Sequence, residues 1–308
     1  MYKRIAVVFT MALVQAVVCQ SQAAVIYSTP SSTYSQNFDT LPSSPQNVSL
    51  GASPAGWTDD NGAPAAGNFS IIGWYLYHPI SQSEGGANGH QRMRVGAGTV
   101  NTGAFMSFGA SGSTERALGD VGSTTLAANP TAPATGTPIY WALRVNNSTG
   151  QTLGSFTVSY FGEQWRDGNN TTPEAITVGY TNAAATDATN WADQTAVNGD
   201  FTAIPALTFN PPVTANNDAA VDGNVAGRSP SALTATITGL NWASGTDLWI
   251  RFNEPQVAGN DDGLAIDDVS FSAEAVVVPE PASVCLLAVA AIGFLGAERR
   301  AIRRAVRT

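Results

Sequence analysis

The segment Gly162–Gly168 reads G-E-Q-W-R-D-G and places an aromatic ring beside a guanidinium, between two glycines that favour turns. In an exposed loop, Trp165 could stack on the apolar face of a sugar while Arg166 donates hydrogen bonds to its hydroxyls. In the alternative interpretation, Trp165 folds over the rim of the protein, and Glu163 and Arg166 pair with each other. The segment is therefore a candidate ligand-binding loop, with Trp165 and Arg166 as its contacts.

Residues for catalysis are scarce. The chain has two histidines, His78 and His90, both in or beside a probable loop, and it lacks the G-x-S-x-G, H-E-x-x-H and P-loop motifs. Glycoside hydrolysis needs only two carboxyl groups, and Glu163 and Glu254 are the acids to test for it. We expect a protein without enzymatic activity, with a polysaccharide-active glycosidase or lyase as one alternative.

The sequence Asn260-Asp-Asp-Gly263 has the composition of a turn, because Asn and Asp favour turns and Gly accepts a positive φ. Its side chains could also supply oxygen atoms to a bound ion.

The charge of the chain limits its partners. Both cysteines, Cys19 and Cys285, lie in the terminal segments, and so do seven of the 14 Lys+Arg, including Lys3, the only lysine. The region between the termini therefore carries a net charge of about −15 and forms no disulfide. Nucleic acid is excluded as a partner because binding it requires excess positive charge. Calcium is compatible with this surface because it binds carboxylate and carbonyl oxygens.

Short apolar segments with a period of two, separated by Gly, Pro and Asn, recur along the central region and predict about twelve strands. We expect an all-β fold of two antiparallel sheets packed face to face, with the first and last strands paired. Residues 81–90 and 211–230 are predicted surface loops. The clearest strand patterns lie at 34–41, 69–77, 139–146, 156–160, 233–238, 248–252 and 264–271.

Three short motifs resemble those of MAM-type and related extracellular jelly rolls: Asn37-Phe-Asp-Thr-Leu41, Gly56-Trp-Thr-Asp-Asp60 and Gly263-Leu-Ala-Ile-Asp-Asp-Val-Ser-Phe271. In that family the terminal strands are neighbours, and nearby carboxylates bind calcium. The resemblance implies a jelly-roll sandwich with Asp39 and Asp268 as candidate calcium ligands and Asp267 behind them. In the alternative interpretation, the Asp pair only ties the last strand to a neighbouring loop through backbone N–H groups.

The N-terminus has the order of a secretion signal. Lys3 and Arg4 precede the apolar run 5–18, and small residues follow near Ser21-Gln22-Ala23. We therefore predict a signal peptide over residues 1–23, removed by signal peptidase.

The C-terminus combines a rigid motif, an apolar segment and a basic end. Pro279-Glu280-Pro281 precedes residues 282–297, which contain no charge and predict a transmembrane helix of roughly 24 Å. Five arginines follow and favour a cytoplasmic end: Arg299, Arg300, Arg303, Arg304 and Arg307. This order resembles the PEP-CTERM sorting signal of Gram-negative bacteria, and the resemblance implies recognition by an exosortase.

The sequence thus predicts a signal peptide over 1–23, a β-sandwich over 24–275 and a sorting signal over 276–308. The protein is expected to be exported, held by its C-terminal helix in the inner membrane, and then found at the cell surface or outside. We expect a non-enzymatic role in the envelope or the extracellular polysaccharide matrix. A carbohydrate-binding module is the second alternative, with extracellular polysaccharide as its partner.

Overall fold

The computed structural model describes residues 24–43, 47–49, 71–77, 92–101, 103–122, 139–172, 174–183, 201–255, 257 and 259–276. Within these ranges the chain forms strands and one short 3-10 turn, Pro205–Leu207, and no helix there is long and apolar enough to cross a membrane. The predicted signal peptide, the loop at 81–90, Pro279-Glu280-Pro281 and the predicted membrane helix at 282–297 lie outside the described residues.

Fifteen strands are found in the described ranges, against about twelve expected. In chain order they are β1 Val25–Tyr27, β2 Tyr34–Gln36, β3 Asn47–Ser49, β4 Trp74–Tyr77, β5 Arg92–Gly96, β6 Ala104–Phe108, β7 Ala117–Val121, β8 Ile139–Asn147, β9 Leu153–Asp167, β10 Thr177–Thr181, β11 Thr202–Ala203, β12 Ala219–Ala220, β13 Leu233–Trp242, β14 Asp247–Glu254 and β15 Gly263–Ala275.

The strands form two sheets, as predicted. Sheet A has the order β1-β8-β14-β10-β11, with β4 also paired to β8. Sheet B has the order β12-β9-β15-β7-β6-β5-β3, with β13 also paired to β9 and β2 also paired to β15. From β8 to β10, and again from β13 to β15, successive strands alternate between the sheets. The expectation of purely antiparallel sheets is wrong, because β1 pairs with β8 and β5 pairs with β6 in parallel.

The predicted pairing of the first and last well-patterned strands is confirmed. Tyr34 lies opposite Phe271 and Gln36 opposite Val269 in the antiparallel pair of β2 and β15. The first of these strands is shorter than its pattern suggested, because Phe38 takes a left-handed φ of 55° and turns the chain. That turn buries the Phe38 ring against Trp74, with ring centroids 4.9 Å apart.

The period-two pattern of the sequence builds the space between the sheets. Trp141 and Leu143 of β8 belong to the same core as Tyr160 of β9. Phe252 of β14 contacts Trp74, Trp141 and Tyr160 with ring-centroid distances of 5.3 to 6.5 Å. These side chains are at most 1% exposed, so they are removed almost completely from water. Each large side chain buried in this way stabilises the fold by about 1.5–3 kcal/mol.

The outer face of sheet B is also covered. The segment 211–230, predicted as a surface loop, is irregular apart from β12, and it packs over β9. On the outer face, Arg228 of this segment lies over the Phe161 ring and bonds to Glu163, and Gly223 lies against the Trp165 ring. On the opposite face of β9, the backbone of Val213 holds both ends of the Gln164 amide, at 2.8 Å each. This cover explains why β9 is buried from Gly162 to Gly168 on both faces although its sequence is polar.

We predict that the pairing of β7 with β15 depends on Gly119. A Cβ atom built there would lie 2.0 Å from the Leu264 carbonyl oxygen and 2.7 Å from the Ala265 Cβ, so Gly119→Ala should lower the free energy of unfolding by about 2 kcal/mol. Gly96→Ala is the matched control, because its Cβ would meet ordinary contacts at 3.5 and 3.8 Å. Urea denaturation of the purified chain measures both variants, and equal stability of the two would contradict this assignment.

Candidate functional site

A cluster of three acids, two buried and one half-buried, lies on the outer face of sheet B, under the segment 211–230. Glu115 precedes β7, Glu163 lies in β9 and Asp267 lies in β15, and one carboxylate oxygen of each falls within 4.8 Å of the other two. We call Glu115, Glu163 and Asp267 the acidic triad. Trp165, on the same face of β9 as Glu163, donates its indole N–H to Glu163 Oε2 at 2.9 Å.

A β-bulge in β15 brings two consecutive aspartates to this site. Asp267 pairs with Phe161 but Ser270 pairs with Ser159, so β15 has one extra residue, and Asp268 takes a left-handed φ of 49°. Normal alternation would send Asp267 and Asp268 to opposite faces of the sheet. Here both contact the Arg228 guanidinium, Asp268 at 2.7 Å and Asp267 at 3.6 Å.

Arg228 is the internal counter-ion of the acidic triad. Its Nη1 donates to Glu163 Oε1 at 2.5 Å, and its guanidinium lies 3.9 Å from the centre of the Phe161 ring. Two further oxygens, Glu115 Oε1 and Asp267 Oδ1, are buried without a hydrogen-bond partner. Arg228 contacts three carboxyl groups, those of Glu163, Asp267 and Asp268. The oxygens of the triad lie close enough together to hold a metal ion.

The environment of the triad disfavours ionisation. Burial, followed by the nearby charge of Asp267, raises the pKa of Glu163 to about 8. Burial and the adjacent Asp268 raise the pKa of Asp267 to about 7. At neutral pH the two carboxyl groups therefore retain protons for part of the time, unless a cation replaces them.

The predicted calcium ligands Asp39, Asp267 and Asp268 do not form one cluster. Only Asp267 belongs to the triad. Asp39 accepts hydrogen bonds from the Asn37 side chain at 2.6 Å and from the Arg116 backbone N–H at 3.2 Å, and Asp268 is paired with Arg228. Their role as calcium ligands stays a prediction, whereas Glu115 and Arg228 were not foreseen, since no local pattern marks them.

The segment Gly162–Gly168 is not the predicted loop, because β9 continues to Asp167, and the role of Trp165 and Arg166 as ligand contacts stays a prediction. Trp165 and Arg166 are 2% and 3% exposed. The Trp165 ring stacks on Phe108 with centroids 5.9 Å apart and planes 2° apart, and Arg166 forms an ion pair with Asp218. The internal-packing alternative for Trp165 is therefore correct in outline, but Glu163 pairs with Arg228 rather than with Arg166.

The two acids proposed for glycoside hydrolysis occupy different layers. Glu163 is on the outer face of sheet B, whereas Glu254 shares the inner face of β14 with Phe252. A glycosidic bond could not lie between them without passing through sheet B. The turn at Asn260-Asp-Asp-Gly263 ends at the start of β15, and its Asp261 and Asp262 are buried.

A second aromatic group, which the sequence did not single out, covers the outer face of sheet A. Tyr75, Tyr140 and Trp249 are buried there. Arg144 lies over the Trp249 ring at 5.3 Å, and Arg251 lies over the Tyr140 ring at 4.2 Å. Since these rings are at most 2% exposed, they form a packed cluster and not an open platform for a sugar.

Comparison with known proteins identifies a PEP-CTERM protein-sorting motif over residues 277–300. This motif implies an exported protein of the cell envelope that is sorted by an exosortase. A search of curated proteins gave no match.

Solved structures show only distant similarity. The K1 cleaved adhesin domain of Lys-gingipain from Porphyromonas gingivalis W83 matches 79% of this chain and 99% of its own length, with 13% identity and a TM-score of 0.30. The module TmCBM61, solved with β-1,4-galactotriose, matches 53% of this chain and 74% of its own length, with 9% identity and a TM-score of 0.28. CBM28, a carbohydrate-binding module specific for non-crystalline cellulose, matches 66% of this chain and 87% of its own length, with 12% identity and a TM-score of 0.27. Scores this low carry no information about ligands.

We predict that Glu163 makes the fold less stable as the pH rises. Its pKa is about 8 in the folded protein and about 4.5 in the unfolded chain, so the folded state binds more protons between these values. The stability that comes from the protonated Glu163 carboxyl group is fully present below pH 4.5 and is lost as the pH rises through 8. Glu163→Gln should therefore gain stability relative to the native chain across this window, by at most about 1.4 kcal/mol per pH unit.

Urea denaturation in chelator between pH 4.5 and 8.5 measures this difference. Glu274→Gln, an exposed change on the same sheet, is the matched control and should run parallel to the native chain. If Glu163→Gln also runs parallel, the raised pKa of Glu163 is refuted.

Proposed function

We propose that this chain is a non-enzymatic β-sandwich protein of the cell envelope or the extracellular polysaccharide matrix, delivered there by export and C-terminal sorting. The observation that carries the proposal is the PEP-CTERM motif at residues 277–300. It directly follows β15, which ends at Ala275, so the sorting signal and the sandwich are joined by a very short connection.

The order of segments supports a route for the protein. Signal peptidase removes residues 1–23 during export, and the apolar segment 282–297 with its basic end holds the chain in the inner membrane. An exosortase-type enzyme then recognises Pro279-Glu280-Pro281 and processes the tail. The sandwich reaches the cell surface or the surrounding matrix by this route.

A structural role fits the described residues better than catalysis or sugar binding through the predicted residues. Glu163 and Glu254 lie in different layers, and Trp165 and Arg166 are buried under the segment 211–230. The aromatic rings on the outer face of sheet A are equally inaccessible. A matrix protein needs a stable, acidic and soluble sandwich, and these features provide it.

Sorting is tested by replacing Pro279, Glu280 and Pro281 with alanine in a tagged chain expressed in a host that contains an exosortase. We expect the native chain to lose its tail and become accessible at the surface, whereas the variant stays unprocessed in the membrane fraction. Immunoblots of cell fractions measure both properties. The matched control replaces Ser270, Ser272 and Glu274 of β15 with alanine, which should leave processing intact. Normal processing of the motif variant would overturn the proposed route.

The non-enzymatic role is tested by incubating the purified protein with a panel of polysaccharides. We expect no release of reducing or unsaturated ends and no retention on the polysaccharides in pull-downs. Turnover that disappears in Glu163→Gln or Glu254→Gln would overturn the proposal in favour of a glycosidase or lyase. Saturable retention would favour a carbohydrate-binding module instead.

A further inference from the structure

The strand β13 differs from the other edge strands of this fold in its length. Among the described strands, those that pair along one edge only are two to four residues long, with β13 as the exception. It runs over ten residues, Leu233–Trp242, and pairs only with β9. The side of β13 away from β9 therefore presents a long row of backbone N–H and C=O groups, which we call the free edge.

The free edge is uncovered along the regular part of the strand. Leu233–Thr238 pairs with β9 without a register shift, and Gly239, with a φ of 75°, follows it. Among the described residues, no backbone hydrogen bond joins Leu233–Thr238 to any segment other than β9. A Cβ atom built on Gly239 would meet no atom of these residues within 4 Å, so the end of the run is uncovered as well.

The regular part of β13 lacks the features that keep edge strands apart. Proteins protect an exposed edge with lysines, prolines, bulges or charges that face the core. Residues 229–246 contain no charged side chain, and 233–238 contain neither a proline nor a bulge. Since the region between the termini carries a net charge of about −15, this is a place where a second copy can approach without like charges directly opposed.

The outer side of β13 carries a row of hydroxyl groups. Thr234, Thr236 and Thr238 are exposed on this side, and each lies opposite a serine or threonine of β9. The Oγ1 atoms of Thr236 and Thr157 are 2.8 Å apart, which is a hydrogen bond between neighbouring strands. Threonines of a further strand can bond to this row in the same way.

The inner side of β13 is apolar and incompletely covered. Leu233, Ala235 and Ile237 pack against the core between the sheets but are only half-buried. Their neighbours on the interior strand β9, Val158 opposite Ala235 and Phe156 opposite Ile237, are at most 1% exposed. The core thus ends at β13 with apolar surface that a further strand would remove from water.

The sequence T-A-T-I-T of residues 234–238 is complementary to itself in the antiparallel direction. When two copies pair with Thr236 opposite Thr236, a threonine meets a threonine at all three outer positions. On the inner side, Ala235 then meets Ile237, a small side chain against a large one. A register centred on either neighbour of Thr236 would set one threonine opposite an alanine or a leucine.

We propose that two copies of this chain pair through β13, antiparallel and about a two-fold axis at Thr236, so that their B sheets join into one. A two-fold interface uses the same surface on both copies, which the self-complementary sequence provides. The pairing covers both free edges and so stops the addition of further strands. Because the paired segment is short, the interface belongs to the size class of weak complexes, and the dimer depends on concentration.

Disulfide trapping tests this register. Directly opposite residues of an antiparallel pair have Cα atoms about 4.5–5.5 Å apart, within the ~4.4–6.8 Å that a disulfide spans. Thr236→Cys is therefore expected to give a cross-linked dimer when the full chain, purified in detergent, is mildly oxidised. Both native cysteines, Cys19 and Cys285, are replaced by serine in every variant, and non-reducing electrophoresis measures the dimer fraction.

Two further cysteine variants check the register. Thr234→Cys should cross-link at least about fivefold less than Thr236→Cys, because its two cysteines would lie about 14 Å apart along the joined strands. An equimolar mixture of Thr234→Cys and Thr238→Cys should regain the cross-link, since these positions are opposite each other. Ser272→Cys, on the same outer face but in the interior strand β15, is the matched control and should stay monomeric.

A charge variant tests the association without a cross-link. Thr236→Lys sets two ammonium groups opposite each other, so at the highest concentration of a dilution series it should have about half the mass of the native chain in light scattering. Ser272→Lys adds the same charge away from the free edge and should match the native chain. Should either the cysteine or the lysine variant of Thr236 fail to fold, the other still tests the same contact.

Three outcomes would overturn the proposal. In the first, Thr236→Cys cross-links no more than Ser272→Cys. In the second, Thr234→Cys alone cross-links as well as Thr236→Cys, which would mean collision or a different register. In the third, a dimer persists in Thr236→Lys, which would mean that another part of the chain, such as the apolar segment 282–297, holds the copies together.

Discussion

The need to neutralise buried carboxylates shapes this molecule. The region between its termini contains no lysine and few arginines, yet it buries acids on the outer face of sheet B and between the sheets. At the outer site, the protein uses one arginine, Arg228, drawn from the covering segment 211–230. Burial at this site raises the pKa values of Glu163 and Asp267, and the positive charge of Arg228 opposes that rise.

The sequence predicted the strands whose side chains alternate between water and core, such as β8, β13 and β14. It failed for β9 beyond Phe161, where both faces are covered and the polar side chains bond to the covering segment. Gln164 and Asp167 read as loop residues because their partners, the backbone groups of residues 213–217, are about fifty positions away. Local periodicity carries no information about a second layer of that kind.

The candidate site was predicted only in part, again because some of its residues come from distant positions of the chain. Asp267 and the turn at Asn260-Asp-Asp-Gly263 were noticed because they stand in acidic runs. Glu115 is an isolated acid, and only the pairing of β7 with β15 brings it to Glu163 and Asp267. A β-bulge, which no residue pattern announces, was needed to turn Asp267 and Asp268 to one side.

The position of β15 has a mechanical consequence. The strand lies inside sheet B, flanked by β9 on one edge and by β7 and β2 on the other, and the chain leaves it directly for the sorting motif. A pull on the C-terminal end of β15 therefore acts along an interior strand, where hydrogen bonds to β9 on one edge and to β2 and β7 on the other share the load. A pull on an edge strand would break its hydrogen bonds to a single neighbour one after another. A pull on β15 must break the hydrogen bonds on both of its edges at the same time.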